Sequence, residues 1–497
     1  MRHREKPAWP AAASAFRQRP HSIAGLSLTL LLRISAGLLF LLNSKAGAED
    51  DPNQLLLHVR ENIADTIKRL PKYVCTLTVD RTRYEPSNPE FGTEPKRGAR
   101  SCDQGVADAR RGTWKRYPSS SDRLRLDVAV NRESGRQDEM YSWSGEEHFS
   151  DRDLFELVPE GAISSGSFTS MLASIFGNDA ARFSYNGDGT VKGKLLAEFG
   201  FRIPLERSQY LYVFGDPKRQ IPMAYDGTLL VDPGNSDLVH LNLRTGQLPP
   251  DTGACEVTQS LDYSRVRLND AEFLLPADAR VVAVHTDGTL AENHLQYSAC
   301  REFRSQVSVR YDGDRPGEGR ALEFEAPSAP AWSLPKGSPF KVVFIDPIDT
   351  KVAAAGDLIR GRLKTAIRDS SERVLVPEGA VVNGRITNIT HFFELARVFM
   401  SNAKQRGWGS PSFVVHIRLE TVEVAGTPQP LKAVFDSGLR RFAKMTGPFS
   451  MRVDIGSADD LHSKTKETDT ARFEFWERDP KMVVKPGLES SWVTVAP

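Results

Sequence analysis

From Tyr73 onward the chain repeats one signal, short runs with apolar side chains at every second position, closed by turn residues. Tyr73, Cys75, Leu77 and Val79 alternate with Thr76, Thr78 and Asp80, the period of a strand with one buried face. The pattern returns at Leu124–Val130, Met140–Trp143, Lys194–Ile203, Ser208–Phe214, Gly227–Val231, Asp237–Leu243, Gln259–Leu268, Arg280–His285, Leu295–Phe303 and Val307–Tyr311. Asn186-Gly187-Asp188-Gly189, Asp232-Pro233-Gly234-Asn235 and Asp287-Gly288 supply turn chemistry between runs. One helix precedes them. Asp51-Pro52-Asn53-Gln54 gives a cap and a first-turn proline, and Leu55, Val59, Ile63, Ile67 and Leu70 recur at helical spacing until Pro71. A one-faced helix before about ten antiparallel strands predicts a curved sheet, a half-barrel, wrapped on that helix. A second short helix is expected at Ser167–Phe176, stopped by Gly177.

Residues 312–339 are punctuated by Gly and Pro and read as a linker. The first domain is thus placed at 51–311 and a second at 340–497. Short β-runs at Lys341–Ile345, Leu358–Leu363, Arg373–Ala380 (into a Pro-Glu-Gly turn), Val381–Ile386, Phe413–Val424, Lys432–Phe435, Arg472–Trp476 and Ser491–Val495 predict a smaller β-barrel or sandwich. Phe392, Leu395, Phe399 and Ala403 suggest a helical insertion near 392–404, and Ala458–Thr470 is polar and charged. The fold class is mainly β.

Residues 1–48 carry the parts of a signal peptide: a basic leader, the apolar run from Ile23, and Ala46-Gly47-Ala48 at a cleavage position. The rival is an uncleaved N-terminal membrane anchor. Arg33 in mid-run costs about 2.5–3.5 kcal/mol on an insertion scale and favours cleavage after Ala48, which leaves no stable transmembrane span. That segment holds seven of the chain's 65 basic residues and one of its 64 acidic ones, so the mature chain has 58 against 63. This balance is not that of a nucleic-acid binder. Periplasmic or secreted localisation follows.

Cys75, Cys102, Cys255 and Cys300 all lie in the mature part, and an even count in an exported chain favours disulfides. Of three possible pairings, sequence proximity favours Cys75–Cys102 and Cys255–Cys300. A metal site lacks support, with no CxxC and no His at ligand spacing.

The leading helix and run of strands resemble the lipoprotein-carrier group (LolA, LolB, RseB), also through the hairpin Asp226–Pro233 and Asp237–Leu241. Lys72–Cys75, Glu160–Gly166 and Ser298–Phe303 are similar to segments of uncharacterised exported proteins typical of acidobacterial bacteria. Val374–Ala380 with Gly384-Arg385-Ile386 is similar to the start of the barrel domain in VirB10/TrbI-type envelope channel proteins. These resemblances imply an envelope setting and a carrier-like fold, not a reaction.

No HExxH, GxSxG, Walker A, GxGxxG or EF-hand pattern is present, and no cofactor is implied. His148 with Asp151 and Asp153 reads as local turn bonding rather than a base and its orienter. Asp232, Asn235 and Asp237 serve a turn before a cation, and Asp454, Asp459, Asp460 and His462 read as a solvated loop. The small-residue stretch Glu160–Gly166 reads as a loop that introduces the short helix. Trp143, Phe199, Phe201, Tyr210 and Tyr212 fall at inward-compatible positions and are the candidate ligand-binding residues, with core filling as the alternative. The expected role is non-enzymatic binding of a lipid, a lipoprotein or another apolar partner in the cell envelope. The alternatives are an interaction protein of an envelope assembly with a filled core, and a hydrolase whose site the sequence does not reveal.

Overall fold

The computed structural model describes residues 51–302 and 333–495 apart from 87–101, 113–115, 134–135, 147–148, 150–152, 159–160, 165–169, 178–179, 216, 394–412, 436–450, 454–468 and 476–482. The signal segment, most of the linker, the expected helical insertion beyond Phe393, His148, Asp151 and the 454–462 acidic cluster lie outside the described residues.

Helix α1 (Pro52–Arg69) starts where the sequence signals it, with the Asp51 carboxylate accepting from Asn53 N at 3.0 Å and proline at the first turn. It buries Leu55, Val59 and Ile63, one apolar stripe at i, i+4, i+8. Strands β1 (Tyr73–Pro86), β2 (Arg116–Glu133), β3 (Arg136–Trp143), β4 (Arg182–Val191) and β5 (Lys194–Ile203) follow. Helices α2 (Cys102–Arg111), α3 (Leu154–Leu157) and α4 (Ser170–Phe176) are set between them. A small hairpin, β6 (Leu211–Phe214) with β7 (Arg219–Pro222), stands apart from the main sheet. The run ends with β8 (Tyr225–Asp232), β9 (Asp237–Thr245), β10 (Ala254–Leu268), β11 (Ala271–His285) and β12 (Leu290–Glu302). Their ladder is antiparallel in the order β3–β2–β1–β12–β11–β10–β9–β8–β5–β4, ten strands that do not close. One face of this open sheet, with α1, α3 and α4, forms a core that includes Leu77, Leu126, Leu261, Leu241, Leu229 and Phe199.

Two expectations are corrected. The disulfides are Cys75–Cys300 and Cys102–Cys255, not the pairs nearest in sequence. The first and last strands of the meander are neighbours, with Val74 opposite Arg301 and Thr76 opposite Ser298, so Cys75 meets Cys300 across the ladder. Helix α2, which no sequence signal marked, packs on the outer face of β10 and β11 and brings Cys102 to Cys255. These bridges span 225 and 153 residues; each restricts the unfolded chain by about 5 kcal/mol in the chain-entropy picture. The Asn186–Gly189 segment, expected as a turn, lies inside β4 at a bulge where Gly187 takes φ +110°. The turn falls instead at Lys192 and Gly193, both left-handed.

The C-terminal strands wrap a second core in the order Ala433–Phe435, Glu489–Thr494, Pro339–Phe344, Leu358–Leu363, Val381–Phe392, Phe413–Val424, Thr470–Phe475, Met451–Val453. Trp492, Phe340, Phe344 and Phe473 are among its largest buried side chains. The two halves share a sheet: Thr390, His391 and Phe392 pair with Asp122, Ser121 and Ser120 of β2. Beside that seam Arg385, 2% exposed, donates to both Glu420 carboxylate oxygens at 2.9 and 3.3 Å, to Ser144 O at 2.7 Å and to Gly356 O at 2.6 Å. Gly356 is obligatory there, since a Cβ would lie 2.1 Å from Arg125 O at φ +106°.

Arg385→Met removes these contacts and leaves Ser144 O and Gly356 O without their donor, while Glu420 keeps Arg418 at 3.2 Å, so it should cost about 1–3 kcal/mol in urea unfolding. His416 sits in the C-terminal half with its pKa pushed down to about 4 by burial and by the Arg472 charge. A lowered imidazole pKa means the unfolded chain binds the extra proton first. The contribution is therefore whole above pH ~6.5 and is lost as pH falls towards 4, by about 3 kcal/mol. His416→Gln should flatten that part of the urea-midpoint profile between pH 7 and 4.

Candidate functional site

The inward-facing positions of β1 change character along the strand. Tyr73, Cys75, Leu77 and Val79 are buried in the core, but the next inward residues are Arg81 and Arg83. On β2 the inward series Leu124–Val130 continues backwards to Asp122 and Ser120. Here the core stops and a cavity of about 1030 Å³ opens, at the upper end of small-molecule pocket sizes.

Its floor is the sheet, through Val257 of β10, Val281, Ala283 and His285 of β11, Ala291 and Asn293 of β12, and Glu139 and Tyr141 of β3. Its walls are Leu154 and Phe155 of α3, Met171 and Ser174 of α4, the loop Gly161–Ser164, and the β6–β7 hairpin with Tyr210, Tyr212 and Phe214. Asn388, Thr390 and Phe392 reach in from the C-terminal half. Asn293, 1% exposed, holds the loop to the sheet by donating to Ala162 O at 2.7 Å.

The lining carries the charged side chains of Arg81, Arg83, Asp122, Glu139 and Asp153, and its tightest ion pair is Arg81 with Asp122. Arg81 faces Asp122 directly across the β1–β2 ladder and donates from Nε and Nη2 at 2.6 and 2.7 Å, a two-pronged contact. Tyr225 and Ser174 hydroxyls lie 2.6 Å apart. Burial pushes the Tyr210 phenol up to about 12 and raises Tyr212 and Tyr225, so all three stay neutral and can donate. Burial lowers His285, which keeps its ring uncharged at neutral pH. Ser164 Oγ is buried without a partner among the described residues.

Of the five aromatic candidates, Tyr210 and Tyr212 stand on the cavity wall. Phe201 packs behind it, edge-on to Tyr225 at 6.2 Å. Phe199 is core, tilted on Tyr185 at 5.5 Å, and Trp143 is core beside Gly356. Period-2 alternation places all five on a common side but not at a level along the strand. The residues missed are those on α3, α4 and the C-terminal strand, which reach the cavity only through tertiary packing.

The other polar candidates have structural roles where they are described. Asp153 caps α3 in a capping box, its Oδ1 accepting from Glu156 N at 2.7 Å. Asp232 accepts from Gly234 N at 3.0 Å and pairs with Lys194, and Asp237 is held by Arg265 through two contacts of 2.7 Å. Among the described residues no group of three His, Cys, Asp or Glu is placed to hold a metal, and no helix is long and apolar enough to cross a membrane.

No family model and no curated protein matches the chain. Solved structures similar to it include a putative outer membrane lipoprotein-sorting protein domain from Vibrio parahaemolyticus, 11% identical, covering 52% of this chain and 96% of that one, with a TM-score of 0.25. A DUF1329 family protein from Desulfovibrio piger is 8% identical over 51% of this chain and 93% of its own, with a TM-score of 0.25. A LolA superfamily protein from Nitrosomonas europaea is 9% identical over 51% and 94%, with a TM-score of 0.21. Scores this low leave the functional reading to the cavity itself.

Proposed function

We propose that this is a non-enzymatic cell-envelope protein that binds an elongated apolar ligand, a lipid or the acyl part of a lipid-modified partner, between its sheet and its helices. The cavity is the observation that carries this reading. Its apolar floor of Val257, Val281, Ala283 and Ala291 suits a hydrocarbon chain, and its neutral tyrosines and serines suit the polar end. An interaction protein with a solid core would have no use for such a volume. The signal-like leader, cleaved after Ala48, and two disulfides support a periplasmic or secreted setting. The barrel-domain resemblance at Val374–Ala380 supports an envelope partner for the C-terminal half.

The purified protein should carry lipid in native mass spectrometry and bind the neutral fluorophore N-phenyl-1-naphthylamine, which added phospholipid displaces. Ala283→Trp and Ala291→Trp each put an indole into the cavity, and should weaken probe binding at least about tenfold while shifting the unfolding midpoint little. Wild-type protein that is lipid-free and binds no probe would remove the proposal.

A further inference from the structure

The strand Val381–Phe392 serves both halves at once. Its last residues pair with β2, which puts successive side chains on opposite faces of a shared sheet. Ile389 is buried in the C-terminal core, and the His391 ring meets Phe413 edge-on at 4.5 Å. The alternate residues Asn388, Thr390 and Phe392 line the cavity of the N-terminal half. Thr390 Oγ1 donates to Asn388 Oδ1 at 2.8 Å, which fixes the carboxamide and leaves its Nδ2 with no partner among the described residues.

We propose that Asn388, Thr390 and Phe392 contact the cavity's ligand and select a neutral acyl ester or acyl amide, with the Asn388 amide donating to its carbonyl and Phe392 packing on its chain. This rests on the cavity being a ligand site and adds what the C-terminal half does there. The carbonyl follows from charge. The Arg81 guanidinium is engaged by Asp122 in two contacts, Arg83 lies 3.5 and 3.6 Å from the Glu85 and Asp287 carboxylates, Glu139 adds a negative charge that disfavours an anionic headgroup, and the tyrosines are neutral. An unengaged amide donor therefore finds its best partner in an uncharged acceptor beside the hydrocarbon. Because the opposite face of the same strand is C-terminal core, ligand occupancy and the ordering of that half are linked.

Displacement of N-phenyl-1-naphthylamine by a monoacylglycerol and by the 1-O-alkylglycerol of equal chain length isolates the carbonyl. Wild type should prefer the ester about tenfold, and Asn388→Leu should bring the two within about twofold. Phe392→Ala should weaken both about tenfold, and Phe392→Leu should restore most of the loss. Amide hydrogen exchange at 389–392 in the wild type should slow when monoacylglycerol is bound. Equal affinities in wild type, Asn388→Leu and Phe392→Ala, with exchange at 389–392 unchanged by ligand, would overturn the selection role. If Ala283→Trp still abolished binding in that case, the cavity reading would stand. A wild type that binds neither probe nor lipid would overturn both.

Discussion

The outer edge of β2 is hydrogen-bonded in turn by three segments, its own hairpin partner and two from the C-terminal half. β3 covers residues 126–133, the backbone of Ala355 bonds to Arg123 O and Arg125 N, and Thr390–Phe393 covers residues 119–122. A strand edge left half-paired exposes backbone donors and acceptors that must find water or another chain. Here each stretch is satisfied by a different part of the protein, and two of the three belong to the C-terminal half. The cavity depends on this arrangement. Past the stretch that β3 and Ala355 cover, the inward face turns from apolar at Leu124 to charged at Asp122, and the incoming strand supplies the missing wall.

The charges at the seam follow a common pattern. Arg385 and Arg81 each meet a carboxylate through two nitrogens, and Arg385 adds two backbone carbonyls. Burying a guanidinium costs several kcal/mol unless its donors are met, so such residues fix geometry more than they add stability. Their pairing also bears on the cavity, because the cationic charge of Arg81 is directed at Asp122. Arg83 is directed at Glu85 and Asp287, the Glu139 carboxylate accepts from Tyr141, and Tyr210, Tyr212, Ser164 and Asn388 add neutral polar surface. Such an interior discriminates by hydrogen-bond acceptors and shape rather than by net charge.

The two disulfides extend the same logic of closure. Cys75–Cys300 ties the first strand of the meander to the last, and Cys102–Cys255 clamps α2 onto the outer face, where Arg110 also pairs with Glu256. Neither bridge lies on the cavity, which leaves them to restrict the unfolded chain and hold the open sheet together.

Local sequence was enough for the mainly β class, the capped helix over Leu55, Val59 and Ile63, and the Asp232–Asp237 and Asp287 turns, because periodicity and turn chemistry act within a few residues. It also placed Tyr210 and Tyr212 among inward-facing aromatics. Which cysteines pair, which of five aromatics reach the cavity, and the entry of Asn388, Thr390 and Phe392 into it were decided by tertiary structure alone. Those outcomes depend on strand order and on the level at which strands meet. Both are set by contacts across more than two hundred residues, which a local pattern does not encode.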